Sequence, residues 1–168
     1  MVYVYLANGF EEVEAISVID ILRRHEIELQ TVGVNTISPV GMHGITVKAD
    51  VLISDIFINK STKMIVLPGG TGVSNLANSE TVIQHINESN KNNIFIAAIC
   101  AAPTILGAHG LLQKKKAVCF SGLENQLIGA VVCKDPVVVD GNIITAKNME
   151  AAFLFSQTLA KLLSEFKP

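Results

Sequence analysis

Short β-branched, aliphatic runs alternate with longer segments of helical spacing along this chain, and that alternation limits the folds open to it. Val2 to Ala7 (VYVYLA) reads as a strand, Asn8-Gly9 as a turn and Glu11 to Arg24 as a helix. Leu29 to Val34 is the next strand. Ile45 to Lys48 and Val51 to Ile53 read as short strands near a hairpin around Gly41 to Gly44. Met64 to Leu67 (MIVL) is apolar throughout, as suits a strand covered on both faces. After a loop at Pro68 to Gly72, Ser79 to Asn90 reads as a helix with Val82, Ile83 and Ile86 on one side. Ile94 to Ile99 is another buried strand and Pro103 to Leu112 another helix; Ala117 to Phe120 is a further strand candidate. Val137 to Val139 and Ile143 to Thr145 flank Asp140-Gly141-Asn142, a hairpin signal, and Met149 to Phe166 closes the chain as an amphipathic helix. The pattern predicts one α/β domain over residues 1–168 with a mainly parallel central sheet. In such sheets, sites gather at the carboxyl ends of the strands.

Composition narrows the functions. With 49% hydrophobic and 17% charged residues the chain can build a sizeable core. A net charge of −2 and the absence of Trp give nucleic-acid binding no support. No apolar run reaches membrane-spanning length, and MVYVYLANG lacks the basic start and long apolar run of a signal peptide. Cys100, Cys119 and Cys133 form no paired disulfide set, which points to a reducing compartment, most simply the cytoplasm. His25, His43, His85 and His109 show no metal-ligand spacing with the cysteines, and no C-x-x-C occurs, so no metal is expected. Lys114 to Lys116 reads as a solvated turn, and Asp20 with Arg24 as a surface pair four residues apart.

The stretch AAICAAP, Ala97 to Pro103, puts Cys100 where a buried strand ends and a helix begins. Small residues two before (Ala98) and two after (Ala102) suit a nucleophile elbow, a sharp turn that lifts a side chain out of the sheet. A helix starting just beyond would favour the thiolate and lower the thiol pKa. Free cysteine is also among the most buried residue types, and a structural role accounts for Cys119 and Cys133. Both readings stand for Cys100 on pattern alone.

GFEEVEA, Gly9 to Ala15, carries three glutamates. Glu11 and Glu12 fit the acidic preference of a helix N-terminus. Glu14 continues the apolar stripe of Val18 and Ile21, which places its carboxyl near the sheet's carboxyl edge. Desolvation there would raise its pKa, leaving it able to donate a hydrogen bond to a thiolate or to act as a general acid–base. A glutamate snorkelling to the surface is the other reading. LPGGTG, Leu67 to Gly72, is neither a G-x-G-x-x-G fingerprint nor a P-loop, which argues against a nucleotide or flavin cofactor. Its adjacent glycines, Gly69 and Gly70, could present N–H groups to an oxyanion, or form a plain turn.

Taken together, GFEEVEA, IDILRR (Ile19 to Arg24), LPGG (Leu67 to Gly70) and AAICAAPTIL (Ala97 to Leu106) resemble the DJ-1/ThiJ/PfpI superfamily, and within it the DJ-one-like branch. The resemblance runs over nearly the whole chain in the same order. It implies a flavodoxin-like three-layer sandwich and a homodimer. Cys100 would be the reactive, oxidation-prone nucleophile and Glu14 the protonated glutamate that hydrogen-bonds it. Gly69, Gly70 and Ala101 match positions whose backbone N–H groups face the pocket, and Arg24 an arginine near the dimer interface and the neighbouring site. The implied activities are glutathione-independent glyoxalase or deglycase chemistry on small 2-oxoaldehydes such as methylglyoxal, without a cofactor, and redox sensing or chaperone action through oxidation of Cys100. The family's protease-like members carry His directly after the nucleophile; Ala101 stands here, which argues against peptidase activity.

Two departures from the family stand out. A family histidine near the site falls in a stretch that reads CFSGLEN here, with no histidine, so Glu14 must do the proton work or turnover must be slow. The family's Gly-Pro-Gly before the last helix is replaced by Asn148-Met149-Glu150, which alters the pocket rim.

Overall fold

The computed structural model describes residues 1–165; Phe166, the predicted end of the last helix, lies outside them. Seven strands form the central sheet: β1 (Val2–Leu6), β2 (Leu29–Gly33), β3 (Val51–Leu52), β4 (Met64–Leu67), β5 (Phe95–Ile99), β8 (Val137–Asp140) and β9 (Ile143–Ala146), in the order β3-β2-β1-β4-β5-β9-β8. All neighbours are parallel except β8 and β9, the predicted hairpin. A separate pair, β6 (Lys116–Ala117) and β7 (Val131–Val132), lies outside this sheet.

Helices α1 (Glu12–Arg24) and α5 (Ala152–Glu165) cover one face, and α2 (Val73–Ala77), α3 (Glu80–Lys91) and α4 (Pro103–Ala108) the other. Strand alternation explains why both faces are apolar. Tyr3 and Tyr5 of β1 join the α3 and α4 side with Val82, Ile86 and Leu106, while Val2, Val4 and Leu6 join Val18, Leu22, Phe155 and Leu159. This is the three-layer α/β sandwich anticipated above.

Three expected elements differ, each for a backbone reason. Ile45 to Lys48 forms no strand; a single antiparallel bridge joins Val40 and Thr46. The adjacent Pro39 has no N–H to extend the ladder, and the His43 and Ile45 N–H groups are engaged by Glu12 instead. Helix α4 stops at Ala108 rather than Leu112, because Gly110 turns left-handed at φ +73° and Leu111 N–H closes back on Leu106 carbonyl at 3.0 Å. Beyond Ala117 the chain leaves its strand: Val118 N–H donates to Thr145 Oγ1 and Phe120 N–H to the Cys100 carbonyl.

Connections from β1 run to β2 on one side, while β4 lies on the other, so the strand order reverses between β1 and β4. A crevice opens at such a switch point, beyond the carboxyl ends of the strands. The ends of β1, β4 and β5 deliver the α1 glutamates, Gly69-Gly70 and Cys100 to it.

Candidate active site

Cys100 follows β5 directly and holds φ +64°, the left-handed region that a residue with a Cβ occupies only when its surroundings enforce it. Its N–H donates to Ala146 carbonyl (2.9 Å) and its carbonyl accepts from Phe120 N–H (2.7 Å). These two bonds clamp the turn. Ala98 and Ala102 are wholly buried, so the small neighbours serve the tight packing that the elbow requires.

Glu14 reaches the same point from α1. Glu11 caps that helix, its Oε2 accepting from Glu14 N–H at 2.7 Å, and Glu14 itself is 1% exposed. Glu14 Oε2 accepts from Gly69 N–H at 2.8 Å, whereas Oε1 is buried without a hydrogen-bond partner in the described structure. Gly69 shows how close the pieces sit. A Cβ there would fall 2.6 Å from Cys100 Cβ and 2.6 Å from Glu14 Oε2, so only glycine lets thiol and carboxyl converge. Gly70 is constrained differently, by φ +88° and by Gly9 carbonyl, which a Cβ would meet at 2.4 Å.

The electrostatics follow from this packing. Burial pushes the Glu14 carboxyl up to about 7, partly opposed by the Gly69 hydrogen bond and reinforced by Glu11. Burial, and then the Glu14 carboxylate, push the Cys100 thiol up to about 12, against the pull of Ala101 and Gly70 N–H groups. The expected lowering of the thiol pKa is therefore reversed, first by burial and further when Glu14 is ionised. Thiolate beside carboxylate would put two negative charges in one dry site, so the pair holds at most one negative charge between them. The six-residue α4 cannot offset that.

A crevice of ≈ 470 Å³ opens over the pair, lined by Glu11, Glu14, Met42, His43, Gly70, Thr71, Cys100, Ala101, Phe120, Asn148, Met149 and Glu150. Asn148 to Glu150, which replace the family's Gly-Pro-Gly, do stand on its rim. Of the anticipated backbone donors, Gly70 and Ala101 face the thiol. Gly69 does not serve there, because its N–H is committed to Glu14. Arg24 is absent from this crevice. It pairs with Asp20 at 2.7 Å on the exposed side of α1, beside His25 and Phe153.

His43 escaped the sequence reading. It lies on an irregular loop with no periodic pattern, 31 residues from its partner Glu12. Glu12 Oε2 lies 2.8 Å from His43 Nδ1, and Glu12 Oε1 accepts from His43 N–H at 2.7 Å and Ile45 N–H at 3.4 Å. Burial acts to raise the Glu12 pKa, but these hydrogen bonds outweigh it and hold the carboxyl below its ordinary value. Glu12 thus does more than complement the helix dipole.

Comparison with known proteins agrees with this geometry. The sequence profile of the DJ-1/PfpI family matches residues 1–162. Protein DJ-1 homolog B of Arabidopsis thaliana is 34% identical over 96% of this chain, although the chain spans only 38% of that longer protein. The glutathione-independent glyoxalase DJR-1.2 of Caenorhabditis elegans is 30% identical, covering 91% of this chain and 82% of its own length. Among solved structures, a cysteine-to-alanine mutant of a DJ-1 superfamily protein from Salmonella typhimurium superposes with TM-score 0.92 at 37% identity, covering 98% of this chain and 90% of that one.

Proposed function

The chain belongs to the DJ-1/PfpI family, and from that premise we propose that it is a cysteine-dependent, glutathione-independent glyoxalase acting on small 2-oxoaldehydes such as methylglyoxal. The observation that carries the reading is Glu14: a buried carboxyl, brought against the Cys100 elbow by a glycine that nothing larger could replace. In the proposed reaction the Cys100 sulfur bonds to the aldehyde carbon, and the thiol proton ends on the aldehyde oxygen, giving a hemithioacetal. Glu14 removes the proton from that carbon and returns it to the adjacent ketone carbon, the hydroxyl proton passes to the former ketone oxygen, and Gly70 and Ala101 N–H groups steady the developing oxyanion. The product is a thioester of a 2-hydroxy acid, which water cleaves to free acid and thiol. Oxo-aldehydes already attached to amines or thiols would give the related deglycase reaction at the same residues.

The lining favours an uncharged substrate. Glu11, Glu14 and Glu150 line the crevice with no lysine or arginine beside them among the described residues, so an anionic substrate would meet like charge there. The test is lactate formation from methylglyoxal without glutathione, comparing wild type with Cys100→Ser. Cys100-dependent lactate supports the reading; its absence at any pH between 6 and 9 removes it.

A second reading is oxidative sensing at the same thiol. The unpartnered Glu14 Oε1 favours it, since a protonated carboxyl there could donate to an oxygen of a sulfinic acid. Mild peroxide would then add two oxygens to Cys100 alone, and oxidation spread over Cys119 and Cys133 would count against it. Homodimerisation is also part of the proposal: α1 and α5 expose Val13, Ile16, Phe153 and Leu154, and Phe153 lies beside Arg24. Light scattering that returned a monomer at micromolar concentration would exclude it.

A further inference from the structure

We infer that His43, held by Glu12, is the acid–base group that activates water in this crevice; the inference rests on the reading of Cys100 as the nucleophile. Glu14 and His43, which line the thiol's crevice together with Glu11 and Glu150, differ in their contact with solvent. Glu14 is 1% exposed and wedged between Gly69 and Cys100. A base placed there moves a carbon-bound proton without competition from water, but water reaches it poorly. The His43 side chain is 63% exposed and lines the same crevice. Solvent reaches its ring directly.

Glu12 makes that imidazole usable. Its carboxylate oxygen sits 2.8 Å from Nδ1, which fixes the proton on Nδ1 in the neutral ring and leaves Nε2 as the acceptor. The Glu12 side chain is only 7% exposed, and it packs where a Cβ on residue 41 would strike its carboxyl at 2.3 Å, so Gly41 is the residue that lets Glu12 reach the loop. Two backbone N–H groups of that loop also bind Glu12, so ring and loop are anchored together. Glu12 is a positioning residue; His43 is the group that meets water. CFSGLEN carries no histidine, and His43 supplies an imidazole from a different loop.

The step balances. Nε2 takes a proton from water, and the water oxygen bonds to the acyl carbon of the thioester on Cys100. The carbon–sulfur bond breaks with its electron pair on sulfur. The imidazolium proton passes to the sulfur, so free hydroxy acid and neutral thiol remain.

Wild type and His43→Ala would be mixed with methylglyoxal without glutathione, lactate followed, and Cys100 examined by intact mass. Turnover should fall about 10²- to 10⁴-fold in His43→Ala. A 2-hydroxyacyl thioester should accumulate on Cys100, and added imidazole should restore lactate in proportion to its concentration. The exposed position of His43, with Glu12 still bound to the loop backbone, allows the variant to fold. Undiminished lactate from His43→Ala overturns the inference, and so does lost turnover with no acyl adduct and no imidazole rescue. A wild type that forms no Cys100-dependent lactate overturns the underlying reading instead, and that control is scored separately.

Discussion

Cys100 and Cys119 lie on adjoining pieces of backbone, and Phe120 N–H, next to Cys119, braces the Cys100 carbonyl. Both thiols are pushed up by burial, Cys100 to about 12 with Glu14 as second cause and Cys119 to about 11 with Glu124 as second cause. Their surroundings still differ in kind. Cys119 is 1% exposed in the apolar layer beneath α4, and its Sγ leans on its neighbour's carbonyl. Cys100 is partly exposed, held at positive φ, open to a crevice and set against a carboxyl that titrates near neutrality. Burial alone makes a thiol inert. A partner that can hold the proton, and a turn that presents the sulfur, make burial useful.

The largest break in this comparison comes from serine. Cys100→Ser should lower methylglyoxal turnover by at least about 10⁴-fold, since removing a covalent nucleophile can cost about 10⁶-fold. Cys119→Ser should leave kcat within about two-fold. Equal losses from both would remove the distinction.

The next test is pH. The native Glu14 carboxyl titrates at about 7, against an ordinary value of 4.5, so between those limits the folded protein binds more protons than the unfolded one. Its contribution is fully present below pH 4.5 and is lost as pH rises through 7. The loss is on the order of 3 kcal/mol. Glu14→Gln should abolish it, so the variant gains stability relative to wild type from pH 5 to pH 8 in chemical denaturation. A constant difference across that range would mean that Glu14 is not desolvated as described.

Glycine scanning turns the comparison into opposite signs. At position 100, glycine should be about 1 kcal/mol more stable than alanine, because the strained φ is relieved. At position 119, glycine should be about 1 kcal/mol less stable than alanine, since there it only adds chain entropy to the unfolded state. Matching signs would remove the strain argument.

The smallest effect concerns alkylation. Glu14→Gln removes the charge that opposes the Cys100 thiolate, so iodoacetamide should react with Cys100 at lower pH than in a wild type whose Glu14 is ionised. The Cys119 rate should not move. A matching change at Cys119 would point to a general loosening of the fold.

Much of this was legible in the sequence. MIVL and the run ending in AAI read as buried strands, and VYVYLA followed by GFEEVEA marked the first strand and helix. Glu14 could be placed because it continues the stripe of Val18 and Ile21. What escaped depended on contacts distant in sequence. The Glu12–His43 pair spans 31 residues and sits on a loop without periodicity. Gly69 has the residue type expected of an oxyanion donor, yet its N–H turns to Glu14, which only the packing of three separate strand ends reveals. The direction of the Cys100 shift was missed for the same reason. Small neighbours and a following helix suggest a stabilised thiolate, while the burial that opposes it, and after it the Glu14 carboxylate, arise from packing against other elements.

The most direct test of the account is Glu14→Gln, assayed for lactate from methylglyoxal without glutathione while Cys100 alkylation is followed in parallel. The account predicts a Cys100 that still reacts, forms its adduct with methylglyoxal and yields about 10²- to 10⁴-fold less lactate. Wild-type lactate production by Glu14→Gln would contradict it, since the buried carboxyl beside the thiol would then have no part in moving the proton.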